Sequence, residues 1–186
     1  MARRASMGRD DWVRAAIAAF RCGGRGAVRV DALAKAAGIT RGSFYHHFRD
    51  RAELLDAVLD SWEQETRKII RQARREATPG ERLSAFFRRA QEAEHEHPPD
   101  VEILAWARKD KRVAALARKV ERRRMTFIRK ELESAGLDRA EARRRAEIAY
   151  LATQGWVFQV GYGARNPSTR AAFTADLFDL ILQDVG

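Results

Sequence analysis

The sequence predicts an all-α protein: an N-terminal three-helix bundle built around a helix-turn-helix, followed by a larger helical core. Three observations predict it. Alanine, arginine, leucine and glutamate dominate the chain, with no sustained period-2 alternation of β-branched residues. Breakers fall at separate points: Gly23-Gly24 with Gly26, Gly38, Pro79-Gly80, Pro98-Pro99, Gly136, Gly161 with Gly163, and Pro167. Between the first and third of these, Leu33–Phe48 reads LAKAAGITRGSFYHHF, a spacing that lets two short helices pack at a steep angle. The division predicted is residues 1–50 for the first unit and 51–186 for the second.

A first helix is expected from Arg9 to Arg21, with Trp12, Val13, Ala16, Ile17 and Phe20 on one face. A second begins near Asp31, whose carboxylate suits a cap, and ends at Gly38, which reaches the left-handed conformation without strain. A third follows Thr40, a good N-cap, and runs to Phe48. Asp50 caps a long fourth helix, and Glu53 stands where a capping-box exchange is completed. No breaker interrupts this helix before Pro79, so it reaches about Ala77. Further helices are predicted at about 80–96, 100–108, 111–135, 139–163 and 168–184.

Within Leu33–Phe48, Ala34 is small where the second helix must approach the third. Phe44 and Phe48 return apolar anchors to the core that Leu33 and Ile39 also fill. The third helix is then the one that enters the major groove of DNA, amino end first. Arg41 and Ser43 lie at that end, and Tyr45 and His46 occupy the next outward positions. Arginine reads guanine in bidentate fashion, and hydroxyls bond phosphates or base edges. His47, beside Phe48, fits a core position as well as an outward one. Charge distribution agrees with an anionic partner. Of the formal net charge of +10, residues 1–50 carry ten Lys/Arg against four Asp/Glu, whereas residues 51–186 carry twenty-six against twenty-two.

The stretch from Trp12 to Trp62 resembles the DNA-binding domain of TetR-family regulators. AGIT-x-GSFYHHF-x-D-x-x-x-LL carries the likeness, with the glycine-bearing loop before it, Val28, Val30 and Leu33, and a first helix ending in Phe20. The resemblance implies a sequence-specific transcription regulator of the repressor kind, in the cytoplasm, that a small molecule releases from a double-stranded operator. By position it makes Thr40, Arg41, Ser43, Tyr45 and His46 recognition-helix contacts, and Arg51 a phosphate contact. Arg29 stands where the family often has a threonine touching the backbone, and Gly42 contributes no side chain. It further implies a homodimer joined through about 146–184. An effector pocket between the middle helices would have Trp62, Phe86, Phe87, Trp106 and Phe127 as candidate lining.

The residues agree about the dimer. After Glu147 the only basic residues are Arg165 and Arg170. Ile148, Leu151, Trp156, Val157, Phe158, Val160 and Tyr162 precede Phe173, Leu177, Phe178, Leu180 and Ile181. That is more apolar surface than two terminal helices expose, although part of it can be buried within one subunit.

Other classes fit less well. No Gly-rich phosphate loop, nucleophile elbow or HExxH is present, so no enzyme is predicted, and no cofactor or metal. His95 and His97 are two residues apart and cannot share a helical face. Cys22 has no partner thiol in the chain. Arg122–Arg124 and Arg143–Arg145 have acids nearby and read as solvated faces. The opening Met-Ala-Arg-Arg-Ala-Ser leads into no apolar run, so no signal peptide is expected. The uncharged run between Glu147 and Arg165 is too short and polar to span a bilayer, and no membrane partner is predicted. The alternative to a ligand-responsive repressor is an effector-independent architectural DNA-binding protein. An enclosed apolar cavity in the core separates the two.

Overall fold

The computed structural model describes residues 7–93, 99–161 and 169–183. His95, His97, Tyr162, Gly163 and Pro167 lie outside them, as does the side chain of Val160. The helices are α1 (Arg9–Ala27), α2 (Val30–Ala36), the 3-10 turn η1 (Arg41–His46), α3 (Arg51–Ala73), α4 (Pro79–Ala93), α5 (Pro99–Ala107), α6 (Lys111–Ser134), α7 (Arg139–Gly161) and α8 (Arg170–Leu182).

Capping sets most of these boundaries. The Asp50 carboxylate accepts from Glu53 N at 2.9 Å at the start of α3. Glu53 does not close the box on Asp50; its Oε2 accepts from Arg49 N, one residue earlier, at 2.9 Å. Thr78 and Glu81 form a reciprocal box ahead of α4, with Glu81 Oε2 on Thr78 N (2.9 Å) and Thr78 Oγ1 on Glu81 N (3.2 Å). Asp110 and Asp138 each accept two backbone N–H groups at the starts of α6 and α7.

Three local expectations change. The first helix does not stop at Arg21. It kinks at Gly23 and Gly24, which have non-helical angles, and winds on to Ala27. Gly24 has φ +60° and is buried against α5, where a Cβ would overlap the Glu102 carboxylate. The N-cap of α2 is Arg29 rather than Asp31, because Leu33 N already bonds the Arg29 carbonyl at 3.0 Å. Thr40 occupies the N-cap of η1 without a side-chain bond, and the segment winds as a 3-10 helix, with Ser43 N on Thr40 O and His47 N on Phe44 O.

Among the described residues there are two large apolar clusters and a small third one, Trp156 and Val157 against Val101 and Phe173. The first joins Trp12, Phe20, Phe44 and Phe48 to Leu54–Trp62 of α3 and on to Ile103, Trp106, Val113 and Val120 of α5 and α6. The second packs the far half of α3 with α4, the far half of α6, α7 and α8. The apolar residues of the last two helices divide between two roles. Trp156, Val157, Leu177 and Ile181 are buried within the subunit. Ile148, Leu151, Phe158 and Leu180 are each more than half exposed. Among the described residues no helix is long and apolar enough to cross a membrane.

On the outer face, Glu63 of α3 serves three cations: Arg67 at 2.7 Å and Lys119 and Arg123 of α6 at 3.0 Å each. Burial alone raises its pKa, but these hydrogen bonds outweigh it and hold the carboxyl at about 2, against an ordinary 4.5. A folded pKa below the unfolded one means that the stabilisation is fully present above pH 4.5. It is lost as pH falls toward 2. Thermal midpoints followed by circular dichroism should therefore fall in that window, and Glu63→Gln should flatten this part of the curve. An unchanged acid profile in Glu63→Gln would show that the three cations do not act through this carboxylate.

Candidate nucleic-acid interface and cavity

The turn between α2 and η1 is built from the backbone outward. Gly38 has φ +66°, Gly38 N bonds Lys35 O (3.1 Å), and Ile39 N bonds Ala34 O (3.0 Å). This paired closure ends α2 and redirects the chain. Phe44 then plugs the core. It is fully buried, edge-on to Trp12 at 5.3 Å and stacked on Phe48 at 5.4 Å between ring centroids.

With Phe44 facing inward, η1 turns Arg41, Tyr45 and His46 to solvent, Tyr45 being 52% exposed. Thr40 and Arg29 are also exposed, whereas Ser43 is half-buried. His47 is half-buried as well, between the two roles its position allowed. The Arg41 guanidinium is held: Nη2 donates to Tyr45 Oη at 3.0 Å, Nη1 lies 3.3 Å from Asp31 Oδ1, and the group sits 5.8 Å from the centre of the Tyr45 ring. Asp31, expected as a cap, instead orients this arginine.

Arg51 occupies a different setting from the one its position implies. Its Nε donates to Val28 O at 2.6 Å and its Nη2 donates to Arg25 O, so it caps the end of α1 and ties it to the start of α3. The Nη1 donors and the second Nη2 N–H are left to meet a phosphate. Arg49, 88% exposed beside η1, is the more open cation and was not singled out from sequence. Nothing in its local pattern distinguishes it from other surface arginines.

Farther along, α1, α3, α4, α5 and α6 line a part-open cavity of about 270 Å³. Ile17, Val58, Trp62, Ile69, Phe86 and Ile103 are the large apolar residues of its wall. At one end lies a polar knot. Asp100 is buried; its Oδ1 accepts from Arg124 Nη1 at 2.7 Å and its Oδ2 from Trp62 Nε1 at 3.2 Å. Arg124 also donates through Nε and Nη2 to Thr66 Oγ1, at 3.3 and 3.1 Å, and stacks over Trp62. Of the five aromatics expected as lining, Trp62 and Phe86 meet here. Phe87 borders a separate small crevice with Tyr150. Phe127 lies behind Phe86 at 5.0 Å and lines an open groove outside. Trp106 packs on Phe20 in the first core, beneath Arg25. Asp100 and Arg124 were missed because one sits at a helix start and the other in an arginine run, both ordinary surface settings in sequence. Arg124 thereby leaves the solvated face expected for Arg122–Arg124.

Residues 13–58 match the model of the tetR family of bacterial regulatory proteins. The transcriptional regulator AcuR of Cereibacter sphaeroides is 32% identical over 95 residues, half of this chain but only 43% of that protein's length. Among solved structures, a TetR-family transcriptional regulator from Streptomyces coelicolor superposes with a TM-score of 0.78 at 17% identity, over 95% of each chain. A TetR transcriptional regulator from Legionella pneumophila gives 0.78 at 16% identity, over 99% of this chain and 100% of that one. The ketosteroid transcriptional regulator of Mycobacterium tuberculosis gives 0.67 at 22%, over 95% and 97%. At these identities the structures share the fold.

Proposed function

We propose that this chain, whose residues 13–58 match the tetR family model, is a TetR-family regulator acting as a homodimeric, cytoplasmic repressor released from its operator by a small molecule. The observation that carries the DNA-binding part is the outward set on η1, in which Arg41 is held by Asp31 and Tyr45 while Phe44 anchors the turn beneath them. A guanidinium already oriented gives up less side-chain freedom when it engages a base edge. Thr40, Ser43 and His46 complete the reading surface, and Arg29, Arg49 and the open side of Arg51 face the backbone.

A largely apolar, part-open pocket of this size supports the ligand-responsive reading over the architectural one, since a purely architectural protein needs no such space. Helix α1 of the DNA-binding end lines it directly through Ile17, and two further helices connect it to that end. Helix α3 carries Val58 and Trp62 on the cavity and Arg51 at its start. Helix α5 lines the cavity with Asp100 and Ile103 and, one turn on, sets Trp106 against Phe20 of α1. A ligand that shifts either helix changes the spacing of the two recognition segments in a dimer, whose half-sites lie about one helical turn or a multiple apart.

Quantitative operator binding tests the reading of Arg41. Binding to a palindromic duplex should weaken steeply with salt, by a slope of ~0.9 in log affinity for each phosphate neutralised. Arg41→Ala should cost ~1–3 kcal/mol on the cognate site and much less on random DNA. Equal losses on both would assign Arg41 to the backbone rather than to a base.

A further inference from the structure

On the reading of the cavity as an effector site, we propose that its occupant is an uncharged, compact molecule of one or two rings, apolar except for a hydroxyl-type donor directed at Asp100.

Size comes first. A dry engineered cavity of about 150 Å³ holds one benzene. The 270 Å³ here is therefore matched to one or two rings. The wall is largely apolar, with Ile17, Val58, Ile69, Phe86 and Ile103 around the open space.

Charge decides the rest. The lining includes two acids, Glu65 and Asp100, and two arginines, Arg21 and Arg124. At one end Asp100 and Arg124 already form an ion pair at 2.7 Å. The Nε, Nη1 and Nη2 nitrogens of Arg124 are all engaged, on Thr66 and Asp100. An anionic ligand would meet the Asp100 carboxylate while competing with it for Arg124. A cationic one would meet Arg124 across the same pair. Glu65 is already paired with Lys68 and Arg21 is engaged as well, so either would bring a charge to a pocket whose counter-charges are taken, which is costly beside apolar walls. A neutral ligand avoids that cost. Each Asp100 oxygen accepts one hydrogen bond from the protein and has a further lone pair, so Asp100 offers acceptors to a ligand.

The test uses the full chain and matched probes on phenyl and 2-naphthyl scaffolds: the methanol, the carboxylate and the methylammonium of each. Dissociation constants are measured by calorimetry at pH 7.5, with operator binding assayed on the same preparation. The alcohol of at least one scaffold should bind at least tenfold more tightly than both of its ionic partners. Ile69→Trp, which fills the apolar side, should abolish that binding. Asp100→Asn should weaken the alcohol's preference over the carboxylate by at least tenfold. An ionic probe binding as tightly as the alcohol overturns the proposed chemistry while leaving the effector cavity in place. If no probe binds a preparation that binds operator, or if Ile69→Trp leaves binding intact, the cavity is not the effector site and the proposal falls with that reading.

Discussion

Replacing Leu151 and Phe158 together by glutamate is expected to leave the subunit folded and to lower operator affinity by about 10²–10⁴-fold, the gain that linking two half-site binders supplies. Along α7, Ile148, Leu151, Gly155 and Phe158 follow a three-four-three spacing and so share one helical face. The three large side chains are 53–60% exposed, and Leu180 of α8 is 57% exposed. Covering the exposed half of each would contribute about 1–2 kcal/mol, which a second copy of the same face can supply. Gly155 lets the backbones approach closely at the middle of the stripe. The control is Leu177→Glu. Leu177 is only 6% exposed and belongs to the second core, so a charge there should unfold the subunit rather than divide a dimer. Sedimentation equilibrium, helix content and operator titration on the three proteins separate these outcomes. A wild-type monomer at micromolar concentration, or a double variant that still dimerises, would remove α7 from the interface.

Replacing Phe44 by alanine is expected to cost about 3–5 kcal/mol, enough to threaten the whole stability of a typical domain. The ring is fully buried and contacts Trp12, Tyr45 and Phe48 at centroid distances of 5.2–5.4 Å. No backbone element can collapse into the space, because η1 is short and pinned at both ends by Gly38 and the Asp50 cap. The loss should also spread beyond residues 1–50. The cluster that holds Phe44 continues through Leu54–Trp62 into Ile103 and Trp106, so the two units share a core. Urea unfolding should thus show one transition at a lower midpoint. A separate early transition confined to the N-terminal helices would mean that the shared cluster does not couple them.

The sequence by itself determined most of what is periodic or local. Nearly every helix was legible from apolar spacing and breakers, because each signal lies within one element. The Asp50 cap, the Gly38 turn and the inward direction of Phe44 follow from single residues whose conformational preferences are strong. The outward placement of Arg41, Tyr45 and His46 then follows from geometry.

Tertiary structure decided whatever depends on partners distant in sequence. Asp31 turned from cap to orienting group because the η1 backbone brings Arg41 within 3.3 Å of it. Arg51 went to the carbonyls of Arg25 and Val28, a choice set by where the kinked end of α1 comes to rest. In one arginine run, Arg123 faces Glu63 outside while Arg124 turns in to Asp100, because successive residues on a helix point about 100° apart and α3 and α5 supply the acids. Aromatics at helical spacing said only that a core exists. Which of them border empty space, Trp62 and Phe86 but not Trp106, depends on how five helices fail to fill the volume between them, and no local pattern encodes that remainder.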